Sequence, residues 1–125
     1  MYVLTVEDTF ASAHQLRGYK GKCENIHGHN WKVVLSVKGR ELNDIGLLID
    51  FNDLKTILKK ITGFLDHKNI NEIPPFDILN PSSELIAEFI CNETSKELKK
   101  FNNDIEVESV TVWESGTSRC TFYPE

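Results

Sequence analysis

His29-Asn30-Trp31-Lys32-Val33-Val34-Leu35-Ser36-Val37-Lys38 sets the frame for the chain. Trp31, Val33, Leu35 and Val37 take one side of an extended backbone, and Asn30, Lys32, Ser36 and Lys38 take the other. A two-residue period of this kind marks a β-strand with one buried face. Upstream, residues 2–14 alternate as well: Tyr2, Leu4, Val6, Phe10 and His14 share one parity, interrupted by Asp8 and Ser12. Downstream the period changes. Phe51, Leu54, Ile57, Leu58 and Ile61 recur at helical spacing over residues 51–64, with Asp50 placed to cap the helix. A second helix is predicted from about Ser82 to Leu98 or slightly beyond, capped by Asn80 or Ser82, with Leu85, Ile86, Phe89, Ile90 and Leu98 on its apolar side. The tail returns to strands. Ile105 and Val107 have one parity and Val110, Val112 and Glu114 the other, so a bulge is expected near Ser109. Ser115-Gly116-Thr117-Ser118 reads as a hairpin turn before a return strand over Cys120 to Tyr123.

The order strand, strand, helix, helix, strand, strand, with short connections between neighbours, predicts an α+β fold: a four-stranded antiparallel sheet with two helices on one face. At 125 residues and 40% hydrophobic content, a single domain over residues 1–125 is expected. The net charge of −5 and the lack of a basic tract argue against nucleic acid as a partner. No apolar run is long enough for a membrane span, and the opening MYVLTV has no signal-like pattern, so a cytoplasmic location is expected. Three cysteines without a C-x-x-C spacing suggest neither a disulfide framework nor a cysteine-rich zinc site.

Chemistry concentrates just before the opening stretch, in Cys23-Glu24-Asn25-Ile26-His27-Gly28-His29. His27 and His29 lie two apart at a strand start, so their rings project on one side, continued by Trp31 and Val33. His14 ends the first strand on its apolar parity. If the two strands form a meander, the end of one meets the start of the other, and three imidazoles converge. Three neutral imidazoles and an open fourth position make a common catalytic zinc arrangement. Cys23, in a polar loop, reads as a fourth ligand, a nucleophile or base, or an inert thiol, whereas Cys91 and Cys120 read as structural. Asp66-His67 reads either as a proton relay or as a helix end suited to the dipole. Glu114, a carboxylate on an apolar parity, reads as a ligand anchor or as a strand end at the solvent boundary.

These segments together resemble the 6-pyruvoyltetrahydropterin synthase and 6-carboxytetrahydropterin synthase family. The matching pieces are Phe10-Ala11-Ser12-Ala13-His14 (family form F-x-A-A-H), Cys23-x3-His27-Gly28-His29, Leu47-Leu48-Ile49-Asp50-Phe51, Leu65-Asp66-His67 with Asn71 following, Asn80-Pro81-Ser82-Ser83-Glu84, and Val112-Trp113-Glu114-Ser115. The resemblance implies the tunnelling fold, with subunits joined edge to edge in an oligomeric barrel, a homo-oligomer of trimers or hexamers with sites at subunit boundaries. It implies Zn2+ on His14, His27 and His29, a pterin triphosphate as the small-molecule substrate, and Cys23 as general base. Asp66 and His67 would form a relay contributed by a neighbouring subunit. Glu114 would grip the pterin ring, aided by Ser82 and Ser83. The three residues between Cys23 and His27 match the carboxy branch; the pyruvoyl branch tends to a longer spacing. The product expected is therefore 6-carboxy-5,6,7,8-tetrahydropterin, on the deazapurine route toward queuosine. The alternatives are the pyruvoyl product, a non-catalytic pterin- or metal-binding protein, and a closed structural zinc site with Cys23 as fourth ligand.

Overall fold

Thirteen-residue strands β1 (Tyr2–His14) and β2 (His27–Gly39) pair antiparallel from Tyr2↔Gly39 to His14↔His27. The computed structural model describes residues 1–21 and 24–125. Helix α1 (Phe51–Leu65) follows, then α2 (Ser83–Phe101), β3 (Glu106–Ser115) and β4 (Ser118–Phe122). The sheet order is β1-β2-β3-β4, every neighbour antiparallel. Helix α1 lies over β1, and α2 lies over β3 and β4.

The alternation of β2 accounts for the core. Trp31, Val33, Leu35 and Val37 are fully buried and meet Leu54, Ile57, Leu58, Ile61 and Leu65 of α1 and Ile86, Ile90 and Leu98 of α2. The helix starts follow from capping chemistry. The Asp50 carboxylate accepts the Asn52 N–H at 2.8 Å, and the Ser82 hydroxyl oxygen accepts the Leu85 N–H at 3.2 Å. The expected bulge is present: Ser36 faces Ser109 while Val37 faces Val107, leaving Glu108 as the extra residue.

Two expected core residues are exposed. Tyr2 is 49% exposed at the free end of β1, beyond the cover of the helices, and Phe51 is 52% exposed at the first position of α1, past the rim of the sheet. Conversely, Ser12 is buried despite interrupting the apolar pattern; its hydroxyl donates to the carbonyls of Ala11 and Leu65.

Candidate metal centre

The β1–β2 register puts His14 opposite His27 at one end of the sheet, with His29 one step further along the same side. One ring nitrogen from each lies within 4.8 Å of the other two. The three rings meet edge to face, with centroids 4.7 to 5.3 Å apart. Trp31 forms the floor of the group, 4.8 Å from the His14 centroid and 5.3 Å from that of His29. Its indole N–H donates to the Ser12 carbonyl at 3.2 Å, and its ring stacks on Phe10.

Hydrogen bonds fix which nitrogens are free. His14 Nδ1 lies 2.7 Å from the Pro81 carbonyl, and His27 Nδ1 lies 2.8 Å from the Asn25 carbonyl. A carbonyl only accepts, so both Nδ1 atoms carry the proton and both Nε2 atoms present a lone pair. Burial pushes the His14 pKa down and keeps its ring neutral, outweighing the Pro81 bond and the nearby Glu114 charge. Among the described residues, His14 Nε2 and His29 Nε2 are buried without a hydrogen-bond partner.

Glu114, at the end of β3, points into the same space. Oε2 lies 3.7 Å from His14 Nε2 and Oε1 3.7 Å from His29 Nε2, both too long for a hydrogen bond. A carboxylate facing the bare lone pair of a neutral imidazole is repulsive unless a proton or cation lies between them. Imidazole nitrogens left free in this way are what a borderline cation such as zinc takes as ligands, and the carbonyls behind His14 and His27 are the second-sphere acceptors that orient such rings. The residues present therefore fit a metal ion.

The remaining sequence candidates fall in three places. Ser83 Oγ lies 3.5 Å from Glu114 Oε2, at the edge of the centre. Ser82 uses its hydroxyl oxygen to cap α2. Asp66 and His67 sit on the outer side of β1: the Asp66 carboxylate accepts the Ala11 N–H at 2.9 Å and meets His67 Nδ1 at 2.8 Å. The Ala11 bond, and after it the His67 bond, hold the Asp66 carboxyl below the ordinary carboxylate range. The His67 side chain is 82% exposed, so the pair is formed but faces away from the core. Cys23 lies outside the described residues.

Sequence reasoning did not assign Glu24, Asn71, Asn80 or Arg17 to this neighbourhood. Glu24 Oε1 accepts the Leu16 N–H at 3.0 Å and lies 3.8 Å from His27 Nε2. Its place three residues before His27 was the available signal.

A sequence model of the family described as 6-pyruvoyl tetrahydropterin synthase matches residues 3–125. The chain belongs to the 6-pyruvoyl tetrahydropterin synthase family, a family of lyases. Among relatives, a 6-pyruvoyl tetrahydrobiopterin synthase of Dictyostelium discoideum is 34% identical over 117 residues, covering 84% of this chain and 87% of its own length. A 6-carboxy-5,6,7,8-tetrahydropterin synthase of Haemophilus influenzae is 31% identical over 145 residues, covering 98% and 99%. The crystal structure of Plasmodium vivax 6-pyruvoyl tetrahydropterin synthase superposes with a TM-score of 0.79 at 27% identity, over 99% of this chain and 98% of that one. The architecture is thus that of the synthase family, the tunnelling fold.

Proposed function

We propose that residues 1–125 act as one catalytic domain, a zinc-dependent 6-carboxytetrahydropterin synthase. It converts 7,8-dihydroneopterin triphosphate and one water to 6-carboxy-5,6,7,8-tetrahydropterin, acetaldehyde and triphosphate. The observation that carries this reading is the convergence of His14, His27 and His29 with two orphaned Nε2 atoms facing the Glu114 carboxylate. Relatives bearing both the carboxy and the pyruvoyl names support the substrate class, and the three-residue interval from Cys23 to His27 favours the carboxy product.

Zinc bound by the three histidines would supply a Lewis acid for the oxygens of the substrate side chain. The protein's own residues do the rest. Glu114 and Ser83 offer adjoining polar atoms, a carboxylate that accepts two N–H bonds from a pterin ring and a hydroxyl beside it. Cys23 takes a side-chain proton as general base. Asp66 holds His67 by Nδ1, leaving Nε2 to exchange that proton with the thiol. The outward position of His67 fits delivery of the pair to a neighbouring copy's centre, as in a homohexamer. The same reading places the enzyme in the cytoplasm, on the route to queuosine.

Purified protein incubated with dihydroneopterin triphosphate tests it. The expected result is one bound zinc per chain with 6-carboxytetrahydropterin and acetaldehyde in equal amounts. A diketo pterin without acetaldehyde assigns the pyruvoyl reaction instead. Cys23→Ala is expected to remain folded and zinc-loaded while losing turnover; full turnover in that variant removes the thiol from the mechanism.

A further inference from the structure

Past His14 the chain leaves the sheet, yet its backbone remains paired. The Asn71 side chain accepts the Gln15 N–H at 2.8 Å and donates to the Gln15 carbonyl at 2.9 Å. Asn80 does the same for Arg17, at 2.8 and 2.9 Å. Each primary amide stands in for a peptide group of a neighbouring strand. Arg17 binds back across the gap. Its guanidinium donates to the carbonyls of Phe76 at 2.5 Å, Leu79 at 3.1 Å, Asn71 at 3.3 Å and Ile78 at 3.4 Å.

The loop gathered in this way ends at Pro81, whose carbonyl meets His14 Nδ1 at 2.7 Å. Proline has no N–H, so Pro81 cannot be anchored through an amide hydrogen bond of its own. Its carbonyl is placed by its neighbours, and the residue before it is Asn80, tied to Arg17 on both backbone atoms. We propose that Arg17, working with Asn71 and Asn80, is a positioning residue for the metal centre: it holds the Pro81 carbonyl on His14 Nδ1 and thereby presents His14 Nε2 as a ligand. This role rests on the metal-centre reading above. Both terminal nitrogens of the Arg17 guanidinium are committed to these carbonyls. The planar five-donor fork spans several acceptors at once, whereas a lysine ammonium concentrates its donors at one point.

The test is zinc affinity of the full chain, measured by competition with a chromophoric chelator. Wild type, Arg17→Met, Arg17→Lys and Asn80→Ala are compared with Thr62→Val, which removes a part-buried hydroxyl bond to Asp8 that involves none of the histidines. Nitrogen-15 NMR of His14 in each metal-free protein reports the Nδ1–H bond. Arg17→Met is expected to bind zinc about 10–100-fold more weakly, in the range for lost second-shell support. Arg17→Lys and Asn80→Ala should fall between it and wild type, Thr62→Val should match wild type, and the His14 Nδ1–H signal should shift only in the Arg17 and Asn80 variants. Zinc affinities within about threefold of wild type, small against the usual second-shell loss, overturn the proposal. If Arg17→Met fails to fold, Arg17→Lys and Asn80→Ala decide on the same criteria. Wild-type protein that binds no zinc overturns the metal-centre reading itself, and the positioning role with it. Wild-type binding with indifferent variants overturns the positioning role alone.

Discussion

Trp31→Phe separates the floor of the metal centre from its ligands. Trp31 is fully buried, touches the His14 and His29 rings, and donates to the Ser12 carbonyl. Phenylalanine keeps the χ1 and χ2 geometry and the apolar character but removes part of the ring and the N–H. The lost area is roughly 40 Å², about 1 kcal/mol at about 25 cal/mol per Å². The Ser12 carbonyl keeps its sheet partner and loses only the indole bond, about 0.5–1.5 kcal/mol more. The sum is about 1.5–2.5 kcal/mol, read from urea unfolding of the metal-free protein at pH 7.5. Because the His14 and His29 rings lose their edge support, zinc affinity in the chelator assay should also fall, by about tenfold. A variant that unfolds within about 0.5 kcal/mol of wild type, the usual scatter of neutral substitutions, and binds zinc equally well would refute the view that the indole braces the histidines.

Three further outcomes are expected. Ser82→Ala should cost about 1 kcal/mol in the same unfolding experiment through loss of the α2 cap; an unchanged midpoint would show the Leu85 bond to be idle. In metal-free protein the lowered His14 pKa gives a definite pH dependence: above about pH 6.5, its ordinary value, folded and unfolded chains both hold it neutral. Below that the unfolded chain takes up the proton first, so this contribution to stability is lost as pH falls toward the lower folded value, and urea midpoints in wild type should drop more steeply than in His14→Gln. Asp66→Asn should retain zinc and fold while lowering kcat with dihydroneopterin triphosphate on the order of 10²–10⁴-fold, the usual weight of acid–base groups; undiminished turnover removes the pair from the reaction.

What could be read before the structure was what repeats locally. The two-residue period of β2 and the stripe of α1 gave their elements, and parity alone brought His14 to His27 and His29. Glu114 was traceable because a carboxylate broke an apolar pattern. The supports of the site were hidden for a different reason. Gln15 and Asn71 are 56 positions apart and Arg17 and Asn80 are 63, and neither amide nor guanidinium leaves a periodic trace. Tyr2 continued the parity of its strand and Phe51 the stripe of its helix, yet both are exposed at the first position of their elements, a boundary that only the packed structure defines. The same holds for Asp66 and His67, whose place along β1 depends on backbone bonds from His67 N–H to Ala11 and from Ala13 N–H to Lys68.

His67 adopts a left-handed backbone, with φ at 55°. That conformation costs a side-chain-bearing residue about 1 kcal/mol or more relative to glycine. The imidazole there is also 82% exposed, and its one ionic contact among the described residues is the Asp66 carboxylate beside it in the chain. Backbone energetics alone would therefore favour a bare α-carbon at this bend, and under the proposed function the strain is tolerated for the sake of the imidazole it displays.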